Sequence, residues 1–269
     1  MDKKKRIENI VSDIKSIKIQ GARNIAKSAL YAYSLIPTKQ IKEKLLNARP
    51  TEPMLVNVLN MLDSGLEYNK ILSHFDQAQN KINRNVCKII KSNSVILTHC
   101  HSTNVTNALV YAHKTGKKFE VYNTETRPLF QGRKTAKELA KAGIKITDFV
   151  DSAVDLALEG RQGFKKISII LIGCDAILKT GIINKVGSAA IAELANLHKI
   201  PLYIVADSWK FSPKKLSLEQ RDFHEVWQRA PKHIKVRNPA FELVDKKYIK
   251  GIISELGILK FDEFIKIVS

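Results

Sequence analysis

The stretch SVILTHCHSTN, residues 94–104, decides the fold because it joins a short buried strand to the start of a helix. The same pattern recurs downstream, where segments with helical spacing separate further apolar runs. These runs are KFEVYN (118–123), IKITDFV (144–150), ISIILIG (167–173) and PLYIVA (201–206). Repeated alternation of strand and helix predicts a parallel sheet that is covered by helices on both faces.

The residues before this stretch have a different pattern. Their apolar side chains recur at helical spacing, as in the segment from Ile7 to Ile14. Prolines divide these segments at Pro37, Pro50 and Pro53. We expect a helical domain over residues 1–92, closed by a long helix from about Leu66 to Lys91, and an α/β domain over residues 93–269.

Composition excludes several classes of protein. The chain has 269 residues, of which 44% are hydrophobic, so it can build a sizeable core and is neither collagen-like nor disordered. Three cysteines are too few for a disulfide framework, and we therefore expect a reducing, cytoplasmic location. The amino terminus MDKKKRIENI lacks the apolar segment of a signal peptide, and we expect no membrane association.

The charge balance is strongly basic. Lys and Arg number 45 against 26 Asp and Glu, which gives a net charge of +19. This suits a nucleic-acid binder or a protein whose ligand carries phosphates. Beyond the run Lys3–Arg6, however, the basic residues are dispersed among acids, and only 7% of residues are aromatic. We therefore expect a solvated basic surface with a few cations at an anion site, and no specific nucleic-acid binding.

Polar residues follow each predicted strand. They are Cys100, Glu125, Asp151, Asp175 and Asp207. In open α/β sheets, ligands bind in the crevice at the carboxyl ends of the strands. Acids at strand ends are also ordinary loop residues, but a complete set of five that includes a thiol favours a site at this edge.

Cys100 lies in the turn between the first strand and its helix. Ser102 or Thr103 can cap that helix and leave backbone amides free to hold an anion. The positive end of the helix predicts a lowered thiol pKa and a thiolate that can act as a base. Two alternatives remain open. Cys100 can be a small buried apolar residue, which is the commoner role of a cysteine. It can also form a zinc site with His99 and His101, but this is disfavoured because adjacent strand residues face opposite ways.

A second predicted strand-end loop is IGCDAILKTGIINKVGS, residues 172–188. Asp175 can exchange a proton with a sugar oxygen, and burial would raise its pKa toward that task. Asn184 and Lys185 precede a helix that begins near Ser188, which predicts a phosphate cradle with one point charge. The alternative for Asp175 is a structural Asx-turn.

The third predicted loop lies within YNTETRPLFQGRKTA, residues 122–136. Arg127 can hold a carboxylate or a phosphate with two hydrogen bonds, and Gly132 allows another part of the backbone to approach closely. An ion pair between Glu125 and an arginine would instead only stabilise the loop. Spacing alone does not decide between these interpretations.

Several motifs, in this order, resemble one superfamily. They are QGARNIA (20–26), ARPT (48–51), THC (98–100), TETRP…QG (124–132), GxDAI…NKVGS (173–188) and VRNPAFEL (236–243). The superfamily unites the α, β and δ regulatory subunits of initiation factor 2B with methylthioribose-1-phosphate isomerase and ribose-1,5-bisphosphate isomerase. Within it, the carboxyl-terminal segment 238–258 is most similar to archaeal bisphosphate isomerases and factor-like proteins.

The resemblance implies a fold and a set of site residues. The fold is α/β, with an N-terminal helical domain followed by a Rossmann-like parallel-sheet domain, and no cofactor is expected. The isomerases use a cysteine and an aspartate as their acid and base, which match Cys100 and Asp175. The residues expected to bind substrate or phosphate are Gly21, Ala22, Arg23, Arg49, Ser102, Arg127, Asn184 and Lys185. In this chain Gln20 replaces an arginine of the family, and Cys174 replaces an alanine.

The function implied by the resemblance is that of an aldose–ketose isomerase, most specifically from ribose 1,5-bisphosphate to ribulose 1,5-bisphosphate. The alternative is a non-catalytic regulatory protein that resembles a subunit of initiation factor 2B, binds a nucleotide or a sugar phosphate, and partners a subunit of initiation factor 2. Self-association, as a dimer or a hexamer built from dimers, is also implied. The aromatic residues that could form an interface, or equally the core, are Trp209, Phe211, Phe223 and Trp227.

Overall fold

The amino-terminal segment folds into helices where apolar spacing predicts them. A computed structural model describes residues 2–269 of the chain. The helices are α1 (Lys3–Lys15), α2 (Ala22–Leu35), α3 (Lys39–Ala48), α4 (Pro53–Asp63), α5 (Tyr68–Ile89), α6 (Thr103–Lys114), α7 (Gln131–Lys141), α8 (Val154–Glu159), α9 (Ser188–Leu197) and α10 (Phe261–Val268). None of these helices is both long and apolar enough to span a bilayer.

The predicted parallel sheet is confirmed. The strands are β1 (Ser94–His99), β2 (Phe119–Thr124), β3 (Lys145–Phe149), β4 (Ile169–Ile172), β5 (Ala176–Leu178), β6 (Gly181–Lys185), β7 (Leu202–Val205), β8 (Phe241–Asp245), β9 (Gly251–Ser254) and β10 (Gly257–Leu259). Seven of them form one sheet in the order β10-β9-β7-β4-β1-β2-β3. All of its pairings are parallel except that of β9 with the edge strand β10.

Helices cover both faces of this sheet, as the continuous apolar runs predict. Successive side chains of a strand point to opposite faces, so Val95 and Leu97 of β1 pack into one core and Ile96 packs into another. Helices α8, α9 and α10 line the first core, whereas α6 and α7 line the second. A strand buried on both faces needs apolar side chains at every position, which explains the SVIL run.

The segment 172–188 is a hairpin rather than the simple strand-end loop that we predicted. After β4, the chain pairs β5 with β6 in antiparallel fashion, and β8 joins β6 to complete a small three-stranded sheet. Strands of three to five residues carry too little periodicity to be recognised in a sequence. The hairpin brings Lys185, at the end of β6, back toward the end of β4.

Helix α5 packs into two cores. Ile71 and Phe75 lie in the core of the amino-terminal helices, whereas Ile82 and Val86 lie in the core between the sheet and α6. The predicted boundary between two domains after residue 92 stays a prediction. Helix α5 packs against both segments and so joins their two cores.

The four aromatic residues near the carboxyl terminus have different environments. Trp209 stacks on His74 with ring centroids 3.5 Å apart, and Phe211 is buried. Phe223 and Trp227 are 42% and 46% exposed, so only these two are available to an interface.

Candidate active site

A cavity lies at the carboxyl ends of β1 and β4. These strands are neighbours in the sheet, but β2 and β3 continue on one side of them and β7 on the other. Such a reversal of strand order opens a crevice where α/β proteins bind ligands. The cavity has a volume of about 170 Å³, and its lining comes from within residues 17–25, 49–54, 99–104, 173–175 and 184–185, together with single residues further on.

Nine of the ten predicted site residues line this cavity. They are Gly21, Ala22, Arg23, Arg49, Cys100, Ser102, Asp175, Asn184 and Lys185. The structure thus brings together residues from both the helical segment and the sheet. Among the acids predicted at strand ends, Asp207 joins Asp175 in the lining, whereas Glu125 and Asp151 lie outside it.

Cys100 is held at the end of β1 by its backbone. Its φ of 65° lies in the left-handed region that residues other than glycine rarely adopt. The backbone amide donates to Thr126 Oγ1 at 3.0 Å, and the carbonyl accepts from Thr135 Oγ1 at 3.0 Å. Neighbouring loops therefore fix an unusual turn that sets the position of the thiol in the cavity.

The predicted thiolate at Cys100 is wrong for the resting site. Burial, followed by the negative charge of Asp175, raises the pKa of the Cys100 thiol to about 12. A backbone hydrogen bond from His101 and the charge of Lys185 act in the opposite direction but are weaker. The loss of hydration outweighs the helix terminus, so Cys100 carries its proton.

Ser102 has the capping role that was predicted. Its hydroxyl accepts from the Val105 amide at 3.4 Å and begins α6. Gly173, just after β4, packs against the same side chain: a Cβ at Gly173 would lie 2.4 Å from Ser102 Oγ. The loops that follow β1 and β4 can meet because this position has no side chain.

Asp175 is held by its backbone, and its carboxyl is left available. The Asp175 amide donates to the Ile183 carbonyl at 2.9 Å across the hairpin. Within residues 2–269 its carboxyl makes no hydrogen bond, so the predicted alternative of an Asx-turn is not observed. Burial raises its pKa, although the charges of Lys210, Arg49 and Lys185 oppose this shift.

Cations surround Asp175. Arg49 pairs with Glu219, with 3.2 Å between Nη2 and Oε2. Lys210 is 8% exposed, and its Nζ donates to the Cys174 carbonyl at 2.6 Å. Lys185 is buried, which lowers its pKa.

The predicted phosphate cradle at the start of α9 is filled by the chain itself. Glu242 Oε1 accepts from the amides of Gly187 and Ala189 at 2.7 and 2.8 Å. Asn184 donates from Nδ2 to Ser188 Oγ at 2.8 Å and so supports the same turn. Lys185 keeps its place in the cavity, but the first turn of α9 already binds a carboxylate.

The start of α2 borders the other part of the cavity. Gly21 precedes the helix with a φ of 81°, and no side chain caps the first turn. Arg23 forms an ion pair with Asp76 of α5, and its guanidinium lies 5.8 Å from the Phe75 ring centroid. Gln20 donates to the Ile17 carbonyl at 2.9 Å and so stabilises the turn before the helix.

Arg127 lies outside the cavity, contrary to prediction. It is exposed, its amide donates to Asp151 Oδ2 at 2.7 Å, and its side chain reaches the Val226 carbonyl at 3.4 Å. Glu125 pairs instead with Arg133 at 2.7 Å, so an ion pair does stabilise this loop, as in the alternative interpretation.

Gly132 makes the close backbone approach that was predicted for the same loop. A Cβ at Gly132 would lie 1.8 Å from the Thr124 carbonyl oxygen. The start of α7 therefore packs directly on the end of β2.

The histidines beside Cys100 are engaged in hydrogen bonds. His99 Nε2 lies 3.0 Å from the Val186 carbonyl, and His101 Nδ1 lies 3.1 Å from Thr135 Oγ1. Burial lowers the pKa of both rings, that of His101 to about 4. Within the described chain, clusters of potential metal ligands occur elsewhere, at His74, Asp207 and Glu255 and at Asp155, Glu159 and His198.

Sequence reasoning missed four charged residues of the lining, which are Glu52, Lys134, Lys210 and Arg221. Glu52 directly follows the ARPT motif, and Lys134 lies within the stretch 122–136 that we had singled out. Lys210 lies in the sequence SWKF (208–211), shortly after β7. Nothing in the sequence around Arg221 indicates that it reaches this cavity, where it pairs with Glu225 at 2.8 Å.

Comparison with known proteins identifies relatives over most of the chain. The model of the initiation factor 2 subunit family matches residues 18–261. Ribose 1,5-bisphosphate isomerase of Archaeoglobus fulgidus is 35% identical over 91% of this chain and 87% of that protein. The ribose 1,5-bisphosphate isomerase of Methanocaldococcus jannaschii is 36% identical over 94% of this chain and 91% of that protein.

A solved structure has the same fold. The translation initiation factor eIF-2B of Pyrococcus horikoshii superposes with a TM-score of 0.83 at 26% identity. The match covers 95% of this chain and 97% of that one.

Proposed function

This chain belongs to the initiation factor 2 subunit family, and on that basis we propose that it isomerises ribose 1,5-bisphosphate to ribulose 1,5-bisphosphate. The observation that carries the proposal is the meeting of Cys100 and Asp175 in one cavity with several cations. An acid, a thiol and positive charges are what an isomerase of phosphorylated sugars needs.

The first step would be the opening of the furanose ring. Asp175 would give a proton to the ring oxygen as the bond between that oxygen and C1 breaks. Its raised pKa supports this role, because burial makes the carboxyl hold its proton more tightly than a carboxyl in water. Ring opening leaves Asp175 as a carboxylate.

The second step would move a proton from C2 to C1 through Cys100. The thiol must first lose its own proton, and the Asp175 carboxylate formed at ring opening is the acceptor we propose. Lys185 supports the thiolate, since its charge lowers the pKa of Cys100. Cys100 would then remove the C2 proton and return it to C1. The C2 hydroxyl becomes the carbonyl as its proton passes to the Cys100 thiolate. This transfer restores the thiol, and Asp175 has already regained its proton from Cys100.

The phosphates would be held at two parts of the lining. Arg49 and Lys185 would bind at the end that contains Asp175. The first residues of α2, Gly21, Ala22 and Arg23, would act with Ser102 near the start of α6. Asn184 would contribute by positioning the Lys185 turn.

The test is direct incubation with candidate substrates, with products identified by NMR. We expect ribose 1,5-bisphosphate to be converted to ribulose 1,5-bisphosphate, and 5-methylthioribose 1-phosphate and ribose 5-phosphate to react far more slowly. Preferential conversion of either of these would overturn the substrate assignment. Tight binding without turnover of any of the three would overturn the isomerase.

A regulatory protein that binds nucleotide or sugar phosphate without turnover is the second candidate. Two observations favour it: the similarity to the Pyrococcus factor and the protonated resting state of Cys100. As such a protein it would partner a subunit of initiation factor 2. Nucleotide binding with no isomerisation would support this candidate.

We also propose that the chain self-associates, as a dimer or as a hexamer built from dimers. The exposed side chains of Phe223 and Trp227 support an interface. The three free thiols support a cytoplasmic location. Light scattering across a concentration series would measure the assembly, and a monomer at every concentration would exclude it.

A further inference from the structure

Glu52 is a buried carboxyl of the cavity for which the mechanism above has no use. It lies directly before α4 and is only 5% exposed. Its Oε1 atom is fully buried and has no hydrogen-bond partner, and its carboxyl does not accept from the amides of the first turn of α4. A buried carboxylate without partners is costly, because nothing replaces the water it has lost.

The charges that face Glu52 do not compensate for this loss. Two cations lie near it, Arg49 and Lys210, and two acids, Asp175 and Glu219. Arg49 already pairs with Glu219 at 3.2 Å. Asp175 competes for both cations and has Lys185 in addition.

Lys210 is also engaged elsewhere. Its ammonium group donates to the Cys174 carbonyl at 2.6 Å, and the Cys174 thiol lies within reach of the charge of Glu52. Neither of the two cations near Glu52 is therefore left for it alone. Burial, followed by the charge of Asp175, raises the pKa of Glu52 to about 8.

We propose that Glu52 couples ligand binding to proton uptake: its carboxyl is neutral in the complex, and the bound phosphorylated ligand draws a proton onto it from solvent. If Glu52, Asp175 and Glu219 were all ionised, they would balance Arg49, Lys185 and Lys210, and these six groups would offer a phosphate no excess positive charge. A neutral Glu52 restores that excess. Glu52 is thus a positioning residue that acts through the charge of the cavity, and the inference rests on the proposed binding of a sugar phosphate.

The first measurement is made on the free protein. The infrared spectrum at pH 7 should contain protonated carboxyl absorption that decreases by the intensity of one carboxyl in Glu52→Gln and is unchanged in Glu193→Gln, a matched change at an exposed site on α9. Absorption that is missing, or that Glu52→Gln leaves unchanged, would overturn the proposal. This result does not depend on any ligand or activity, so it is separate from failure of the proposed function.

The second measurement is calorimetry with ribulose 1,5-bisphosphate in buffers of different ionisation enthalpy. At pH 8.5 the phosphates are already dianionic, and wild type should take up about three quarters of a proton more per site than Glu52→Gln, since about that fraction of Glu52 is ionised in the free protein. The dissociation constant of wild type should rise about tenfold more than that of the variant between pH 7 and pH 9. Equal uptake and parallel pH profiles would contradict the proposal.

Discussion

Cys100 shows how burial can reverse the expected chemistry of a residue. Its place beside the start of α6 predicts a thiolate, but withdrawal from water keeps the proton on sulfur. In the proposed reaction, the thiolate forms only after Asp175 has given its proton to the ring oxygen and can accept the proton of the thiol. Asp175 controls both steps in that sequence.

Replacing this thiol should affect turnover far more than binding. We expect Cys100→Ser to lower kcat by roughly 10²-fold or more, because a hydroxyl is a much weaker acid than a thiol and forms its anion far less readily, while the dissociation constant changes little. NMR assays and calorimetry would measure the two quantities. Cys87→Ser is the control, since Cys87 lies against Thr115 outside the cavity. Unchanged turnover in Cys100→Ser would remove this residue from the mechanism.

Lys185 should discriminate phosphorylated from unphosphorylated ligands. We expect Lys185→Ala to raise the KM or the dissociation constant for a sugar phosphate by about tenfold or more, because a buried ammonium group is a point charge for phosphate. The unphosphorylated sugar should be affected much less. Lys179→Ala, on the exposed turn of the hairpin, is the matched control. Similar losses for both ligands would mean that Lys185 does not bind the phosphate.

At the scale of elements, Glu242 joins β8 to the first turn of α9. We expect Glu242→Gln to lower the free energy of unfolding by about 1–2 kcal/mol, since the charge-assisted hydrogen bonds to two amides and the interaction with the helix terminus are lost. Urea unfolding would measure this. Glu193→Gln removes the same charge from the exposed side of α9 and should change stability by less than about 0.5 kcal/mol. Equal effects would show that the position of Glu242 has no special role.

The long elements were predictable, and the tertiary contacts were not. β1 was predicted at its observed bounds, since a strand buried on both faces must be apolar throughout. The hairpin of β5 and β6 was missed because its strands are stabilised by pairing rather than by a local pattern. Motifs indicated most of the cavity, but Glu52 and Arg221 belong to it only through folding. The state of the Cys100 thiol could not be predicted, because it depends on depth of burial.

At the scale of the whole molecule, the net charge of +19 should give only weak binding to nucleic acid. The cations are dispersed and lack a platform of aromatic residues, so we expect adsorption to RNA that disappears by physiological salt, as counterion release predicts. Sugar-phosphate binding inside the cavity should survive that salt. Filter binding and calorimetry over a salt series would compare the two. Tight RNA binding at physiological salt without sugar-phosphate binding would exclude the isomerase.

Stability should depend on pH through Glu52. Its pKa rises from 4.5 to about 8 on folding, so the folded chain holds the proton more tightly than the unfolded chain. The tighter binding of this proton stabilises the folded chain fully below about pH 4.5, and the stabilisation is lost as the pH rises through 8. The free energy of unfolding falls by up to about 1.4 kcal/mol per pH unit in this range. As the pH rises from 5 to 8, we expect Glu52→Gln to become more stable relative to wild type, as measured by chemical denaturation. A difference in free energy of unfolding that stays constant over this range would contradict the raised pKa of Glu52.

Helix α5 has a consequence for how the chain unfolds. Its first half is packed among the amino-terminal helices and its second half on α6 and the sheet, so neither core can open without uncovering part of the same helix. The amides in the middle of α5 should then exchange with solvent only when the whole chain unfolds, as one cooperative unit. A fragment cut after residue 92 would expose Ile82 and Val86 to water and would be prone to aggregation.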